Sequence, residues 1–193
     1  MDTIALPAPD LSVPVTLTAV LAARRTRREV RSDPLDRDAL SFLLWAAHGI
    51  TSEDGRHTAP SAGFTDPTTI TAVTADWMAR YRPAPHDLEV VAGGDLRPEF
   101  ARVSGRQSML DHAPLTLAVS ALVERTARKY GARADRYVAL EAGHIAQNVL
   151  LAAEALGLAA CPVGSFDDEA LQGLLRLGPG DVPLYLLPVG HPA

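Results

Sequence analysis

Residues 134–156 read ADRYVALEAGHIAQNVLLAAEAL. Val138, Ala142, Ile145, Val149, Ala152 and Leu156 recur at three- and four-residue intervals, which lays them along one stripe of an α-helix. Gly157 closes the run, where helices often end in a left-handed turn. The pattern is apolar almost all round, so this helix must be buried in its own subunit or against a partner; exposing it would leave a large apolar patch in water. Glu141, His144 and Asn148 interrupt it as a polar stripe at i, i+3 and i+7. Glu-x-x-His occurs in carboxylate-bridged di-metal bundles, but those need a second copy and further carboxylates on other helices. The chain has no second copy, so the stripe reads as a buried hydrogen-bond network or an interface, and no metal site is expected.

The flanking segments place this helix in a mixed fold. Upstream, APLTLAVSAL at 113–122 is an almost unbroken apolar run, expected of a strand buried on both faces and central in a sheet. TTITAVTA at 68–75 and DLEVVAG near residue 90 have the β-branched content and alternation of strands. Downstream come a short strand into Cys161-Pro162-Val163-Gly164, a helix at 168–177 and a final apolar strand, VPLYLLPVG. Near the start, TLTAVLAAR at 16–24 spaces Leu17, Val20 and Leu21 as a helix, and DRDALSFLLWAAHG at 36–49 carries a full set of end signals. There Asp36 is the N-cap, Leu35 can staple onto Leu40, and Gly49 follows the last turn. Strands and helices do not alternate as repeated parallel crossovers would, which favours an α+β class.

Composition bounds the function. At 193 residues, with 47% apolar and 21% charged side chains, the chain suits one folded domain spanning 1–193. A net charge of −5 leaves no basic footprint for nucleic acid. No apolar run is long enough for a bilayer, and the N-terminal stretch lacks the features of a secretion signal, so a cytoplasmic location is expected. The single cysteine, Cys161, offers neither an internal disulfide nor a cysteine-rich zinc site.

Several short segments could carry chemistry. Arg24-Arg25-Thr26-Arg27-Arg28 groups four guanidinium donors and a hydroxyl at a helix end, suited to a mononucleotide phosphate or, equally, a solvated basic turn. Ala59-Pro60-Ser61-Ala62-Gly63 lies in the Ser-, Gly- and Pro-rich stretch 50–67, where small residues let the backbone approach a flat ligand, though surface turns share that composition. Lys129-Tyr130-Gly131 reads as the end of a short charged helix begun near Glu124. Val163-Gly164-Ser165 follows a strand and could turn its amides to a ligand. Gly93-Gly94 lacks dinucleotide-fingerprint spacing, and no Gly-x-Ser-x-Gly elbow is present.

Taken in order, RRTRREV at 24–30, LLWAAHGIT at 43–51, APSAG at 59–63, KYGARADRYVALEAGHIAQNVLLAAEALGL at 129–158 and CPVGSFDD at 161–168 resemble the nitroreductase superfamily. Within it, they are similar to the SagB/McbC-type flavin dehydrogenases that include azoline oxidases. The resemblance implies a central, mostly antiparallel sheet flanked by helices, and a homodimer with FMN at its interface. It implies that Arg24, Arg25, Thr26 and Arg28 hold the FMN phosphate and ribityl, with Arg24 and Arg28 foremost and Arg27 merely solvated. It further implies that Pro60, Ser61, Ala62 and Gly63 reach the flavin from the partner subunit, that Val163, Gly164 and Ser165 lie near flavin N5, and that Lys129 and Tyr130 are a catalytic pair. Phe64-Thr65-Asp66-Pro67 departs from the family's aromatic-Pro run, and the chain stops at Ala193 without the C-terminal arm of many nitroreductases. The expected activity is dehydrogenation of a small or peptide-borne heterocycle of natural-product type. The alternatives are NAD(P)H-driven reduction of a nitro, quinone or enone compound, and a flavin-free partner subunit of a biosynthetic enzyme.

Overall fold

A computed structural model describes residues 2–193 of the chain. Among them, in order, are β1 (Thr3–Ala5), α1 (Leu17–Ala23), α2 (Arg37–His48), β2 (Thr68–Val73), β3 (Trp77–Arg82), β4 (Asp87–Gly93), α3 (Arg97–Val103), α4 (Ser108–His112), β5 (Leu115–Leu122), α5 (Val123–Tyr130), α6 (Ala134–Ala155), β6 (Ala159–Ala160), α7 (Asp168–Leu174) and β7 (Asp181–Gly190). The strands form one seven-stranded sheet in the order β1-β4-β3-β2-β5-β7-β6, with every pairing antiparallel. The α+β architecture and the central place of β5 are as the apolar run predicts.

Side-chain alternation divides the sheet between two cores. Leu115, Leu117 and Val119 of β5 face a core shared with Leu43, Leu44 and Ala47 of α2 and Ala142, Ile145 and Val149 of α6. Ala118, between them, faces the opposite core, which holds Phe100 of α3, Leu110 of α4 and Leu171 of α7. The molecule is therefore a sheet with α2 and α6 on one side and three short helices on the other.

The end signals of α2 work as read: Asp36 accepts from the Ala39 amide at 2.7 Å, and Leu35 and Leu40 both pack against the first core. Gly49 ends the helix for a different reason from the one expected. Its backbone is extended, at φ −71°, and a Cβ there would stand 2.2 Å from Trp45 Cδ1, so glycine is needed to clear the indole.

The stretch WMARYR is strand β3, which the sequence reading does not single out; Trp77, Ala79 and Tyr81 face the first core and Met78 the second, and the bulge opposite Met78 and Ala79 falls in β4, where Val91 is the extra residue. Within the single chain the long helix α6 is not buried all round, so of the two ways of covering it that the sequence allows, its own subunit supplies only part. Its stripe faces the core, but Leu140 is 51% exposed and Leu151 is half-buried.

Candidate active site

The arginine cluster begins at the C-cap of α1 and is tied to the other end of the chain. The Arg27 amide donates to the Ala160 carbonyl at 3.1 Å, and the Arg31 amide to that of His191 at 2.9 Å. Arg27 is not merely solvated, as the sequence suggests: its guanidinium pairs with Glu154 in the last turn of α6 at 2.5 Å. Arg25 donates to the Ala22 and Arg24 carbonyls, capping the end of α1. Arg24 and Arg28 have no carboxylate within ion-pair distance among the described residues, and Thr26 and Arg28 are exposed. The neighbouring strand end runs from β6 through Cys161, whose buried thiol is pushed up by burial against the charge of nearby Arg28. Val163 is then pinned to Leu186 by reciprocal hydrogen bonds, which leaves Gly164 and Ser165 exposed just beyond. The structure thus gathers the Arg24–Arg28 segment and the Val163–Ser165 turn at one end of the molecule.

The second group of predicted residues gathers elsewhere. Ser61 precedes a short 3-10 turn at Ala62–Phe64, in which Gly63 has φ +59°. The Lys129 ammonium donates to the Gly63 carbonyl at 3.1 Å, and a Cβ on Gly63 would meet the Tyr130 hydroxyl at 2.3 Å and Lys129 Nζ at 2.7 Å. Glycine suits the left-handed backbone there, and its bare Cα leaves the space that the ends of the Lys129 and Tyr130 side chains occupy. The Tyr130 ring meets Tyr137 of α6 edge-on at 5.0 Å, which fixes its direction. A cavity of about 560 Å³ opens beside this turn, lined by Arg56, His57, Thr58, Pro60, Ser61 and Phe64 among others.

Behind the turn lies a polar network that sequence reasoning did not assemble. His48, in the last turn of α2, stacks on His57 with ring centroids 3.9 Å apart and planes within 9°. Both face Asp66, with His48 Nε2 2.8 Å from Oδ1 and His57 Nε2 3.5 Å from Oδ2. His57 Nδ1 is 2.9 Å from the His48 carbonyl and donates to it. Burial alone would push the Asp66 carboxyl up, but the two imidazoles outweigh it and hold the group well below the usual carboxylate range. The bond to Asp66 raises His57, against its partial burial. The Asp66 amide in turn donates to Ser61 Oγ at 3.0 Å, linking this network to the predicted loop. The histidines are nine residues apart in sequence, on different elements, and no short motif marks the pair.

The polar stripe of α6 divides on inspection. Glu141 is buried and accepts from the Thr68 hydroxyl at 3.1 Å, with burial raising its pKa against that bond and the nearby Ser61 hydroxyl. Asn148 donates to the Thr58 carbonyl at 3.3 Å, tying the loop down. His144 is exposed and takes no part in that network, so the three do not act as one face.

The model of the Nitroreductase family matches residues 21–191. The chain belongs to that family. A Methanocaldococcus jannaschii protein provisionally named a nitroreductase, MJ1384, is 38% identical over 196 residues, covering 98% of both chains. The crystal structure of a provisionally named nitroreductase from Ralstonia eutropha superposes with a TM-score of 0.91 at 29% identity, covering all of this chain and 90% of that one. The NADPH:FMN oxidoreductase of Vibrio harveyi shares the fold at a TM-score of 0.68 and 22% identity, over 91% of this chain and 68% of the other.

In this nitroreductase-family oxidoreductase the two groups of candidate residues flank α6 at opposite ends. Lys129-Tyr130 and Gly63 sit beside Tyr137, and Arg27 beside Glu154. Between Tyr137 and Glu154 the helix rises about 25 Å. One mononucleotide does not bridge that distance inside one chain.

Proposed function

We propose that this chain is an FMN-dependent dehydrogenase acting as a homodimer, with the arginine end of one subunit facing the Gly63 end of the other. The separation of the two groups along α6 carries the reading, because only a second copy brings both to one ligand. A surface for that copy is present. Leu11, Leu17 and Leu21 are 65%, 66% and 52% exposed, beside a groove of about 570 Å³ floored by Phe42, Trp45 and Leu151.

The donor set fits FMN. Arg24 and Arg28, free of carboxylates, bind the phosphate oxygens; Arg25 and Thr26 serve the ribityl side; the exposed Gly164 and Ser165 amides, with Val163, face the ring. Pro60, Ser61, Ala62 and Gly63 bring a small-residue surface against it from the partner. FMN, when bound, supplies a hydride acceptor at N5. Lys129 Nζ and Tyr130 Oη are held together over Gly63, and Lys129, in its neutral amine form, would take the proton that leaves the substrate carbon, with the Tyr130 hydroxyl beside it. The substrate class is a small or peptide-borne, azoline-like heterocycle. Lys129→Ala is expected to retain flavin and lose roughly 100-fold or more in turnover; unchanged turnover with flavin bound removes Lys129 from the mechanism.

A second reading is NAD(P)H-driven reduction of a nitro, quinone or enone compound, and the nitroreductase name of the Methanocaldococcus jannaschii relative favours its nitro branch. Anaerobic mixing separates the two. Rapid bleaching of bound flavin by NADH or NADPH establishes the reductase, and indifference to both establishes the dehydrogenase. A purified protein that stays colourless with added FMN overturns both readings.

A further inference from the structure

We infer that His48, His57 and Asp66 form a two-histidine, one-carboxylate site for a divalent transition-metal ion of the zinc class, clipping the end of α2 to both limbs of the 50–67 loop. This does not depend on the flavin reading.

Three observations point to an ion rather than a plain ion pair. First, three ligating groups from separate places in the chain lie within 4.8 Å of one another, with the His48 and His57 side chains only 5% and 10% exposed. Second, the contact between His48 Nε2 and Asp66 Oδ1 is short, at 2.8 Å, yet not aligned as a hydrogen bond, and Oδ1 has no other partner. A lone pair that points beside a neighbouring oxygen rather than at it is the relation between two ligands of one ion. Atoms each bound at about 2.1 Å stand roughly 3.0–3.4 Å apart at right-angled to tetrahedral bites. The measured edges, 2.8 Å to Oδ1 and 3.5 Å to Oδ2, fall just below and just above that range. Third, His57 donates through Nδ1 to the His48 carbonyl, which leaves Nε2 as the ligating nitrogen; this is the outer contact that metal-bound imidazoles ordinarily make.

The backbone supports the same geometry. Asp66 has φ +45°, an uncommon conformation for a non-glycine residue, and the Arg125 side chain donates to its carbonyl at 2.8 Å while its amide holds Ser61. The carboxylate is therefore aimed by its surroundings, as a preorganised ligand is. The two rings lie nearly parallel with centroids 3.9 Å apart, so their Nε2 lone pairs do not yet converge and taking up an ion requires one ring to rotate out of the stack. Two imidazoles and a carboxylate suit zinc, cobalt or ferrous iron rather than magnesium or calcium.

The test is titration of the chelator-stripped, full-length protein with Co2+, followed by its visible d–d absorption and displaced by Zn2+. One saturable equivalent is expected. Asp66→Asn and His57→Gln should each weaken binding by more than the roughly 10–100-fold typical of outer-shell partners, with far-UV dichroism unchanged. His144→Ala, an exposed histidine elsewhere on α6, should leave it intact. Asparagine tolerates the positive φ at position 66, so that variant decides the matter if His57→Gln fails to fold. Non-saturable Co2+ uptake by the wild type, or saturable binding that survives Asp66→Asn, overturns the proposal.

Discussion

Adjacent arginines of one short segment have different work to do. Arg27 spends its charge on Glu154, half-buried at the end of α6, whereas Arg28 is exposed with no acidic neighbour in reach among the described residues. Arg28→Ala is therefore expected to weaken FMN binding about 10- to 100-fold, the loss of one or two charge-assisted hydrogen bonds, with little change in melting temperature. Arg27→Ala should do the reverse, lowering the melting temperature while leaving flavin affinity within a few-fold of wild type. Flavin fluorescence titration and thermal unfolding of both variants check the pair of expectations. Equal losses of affinity would mean that the ion pair with Glu154 gives way when the cofactor binds.

At the scale of elements, a buried relay ties the N-terminal arm to the sheet. Ser41 donates to the Pro7 carbonyl at 2.7 Å, so it must accept from His86 Nε2, also at 2.7 Å, and His86 Nδ1 then accepts from the Tyr81 hydroxyl at 2.8 Å. That assignment requires a neutral imidazole. Burial lowers the His86 pKa, and burial also raises that of Tyr81. In the unfolded chain His86 binds its proton at a higher pH than in the folded one, so the relay's contribution is complete above the ordinary imidazole range near pH 6.5 and is lost as the pH falls through and below it. Urea unfolding from pH 5 to 8 should show this decline, and His86→Gln should flatten it. An unchanged slope in the variant would place the titration elsewhere.

The same scale shows what the sequence could reveal. Helices α2 and α6 and strand β5 were legible because each carries its signal within one window: a cap and staple, a 3.6-residue stripe, an unbroken apolar run. Strand β3 was not, since the alternation of Trp77, Ala79 and Tyr81 against Met78 is short, is broken up by arginines, and becomes plain only once β2 and β4 pair with it. The candidate site follows the same rule. The contiguous Arg24–Arg28 and Pro60–Gly63 segments and Lys129-Tyr130 stand out in the sequence as candidates, but the contact of Lys129 with Gly63 does not. His48, His57 and Asp66 meet only because α2 and the loop fold back on each other, and nothing at either histidine announces the other.

For the whole molecule, the exposed leucines of α1 offer the cleanest test of assembly. Leu17→Asp with Leu21→Asp alters side chains already in water within one chain, so the subunit should keep its fold while the dimer dissociates. Sedimentation should then report monomers, and flavin should be lost with the partner if, as proposed, each cofactor is shared between two subunits. A dimer that persists in the double variant, or a monomer that keeps its flavin, contradicts the shared site. Leu150 of α6 is less useful for this purpose, being 7% exposed in the chain's own core.

The position of β7 has a consequence for biosynthesis. It lies between β5 and β6 and supplies Leu186, Leu187 and Val189, each fully buried, to the two cores. Until the ribosome has released residues 181–190, β5 has an open edge and both hydrophobic layers lack a wall. The nascent chain therefore holds β5 and both hydrophobic layers unclosed until that strand emerges, and closure of the sheet by long-range pairing is slow compared with helix formation. This protein is expected to lean on chaperones during synthesis more than a fold whose central strands are made first.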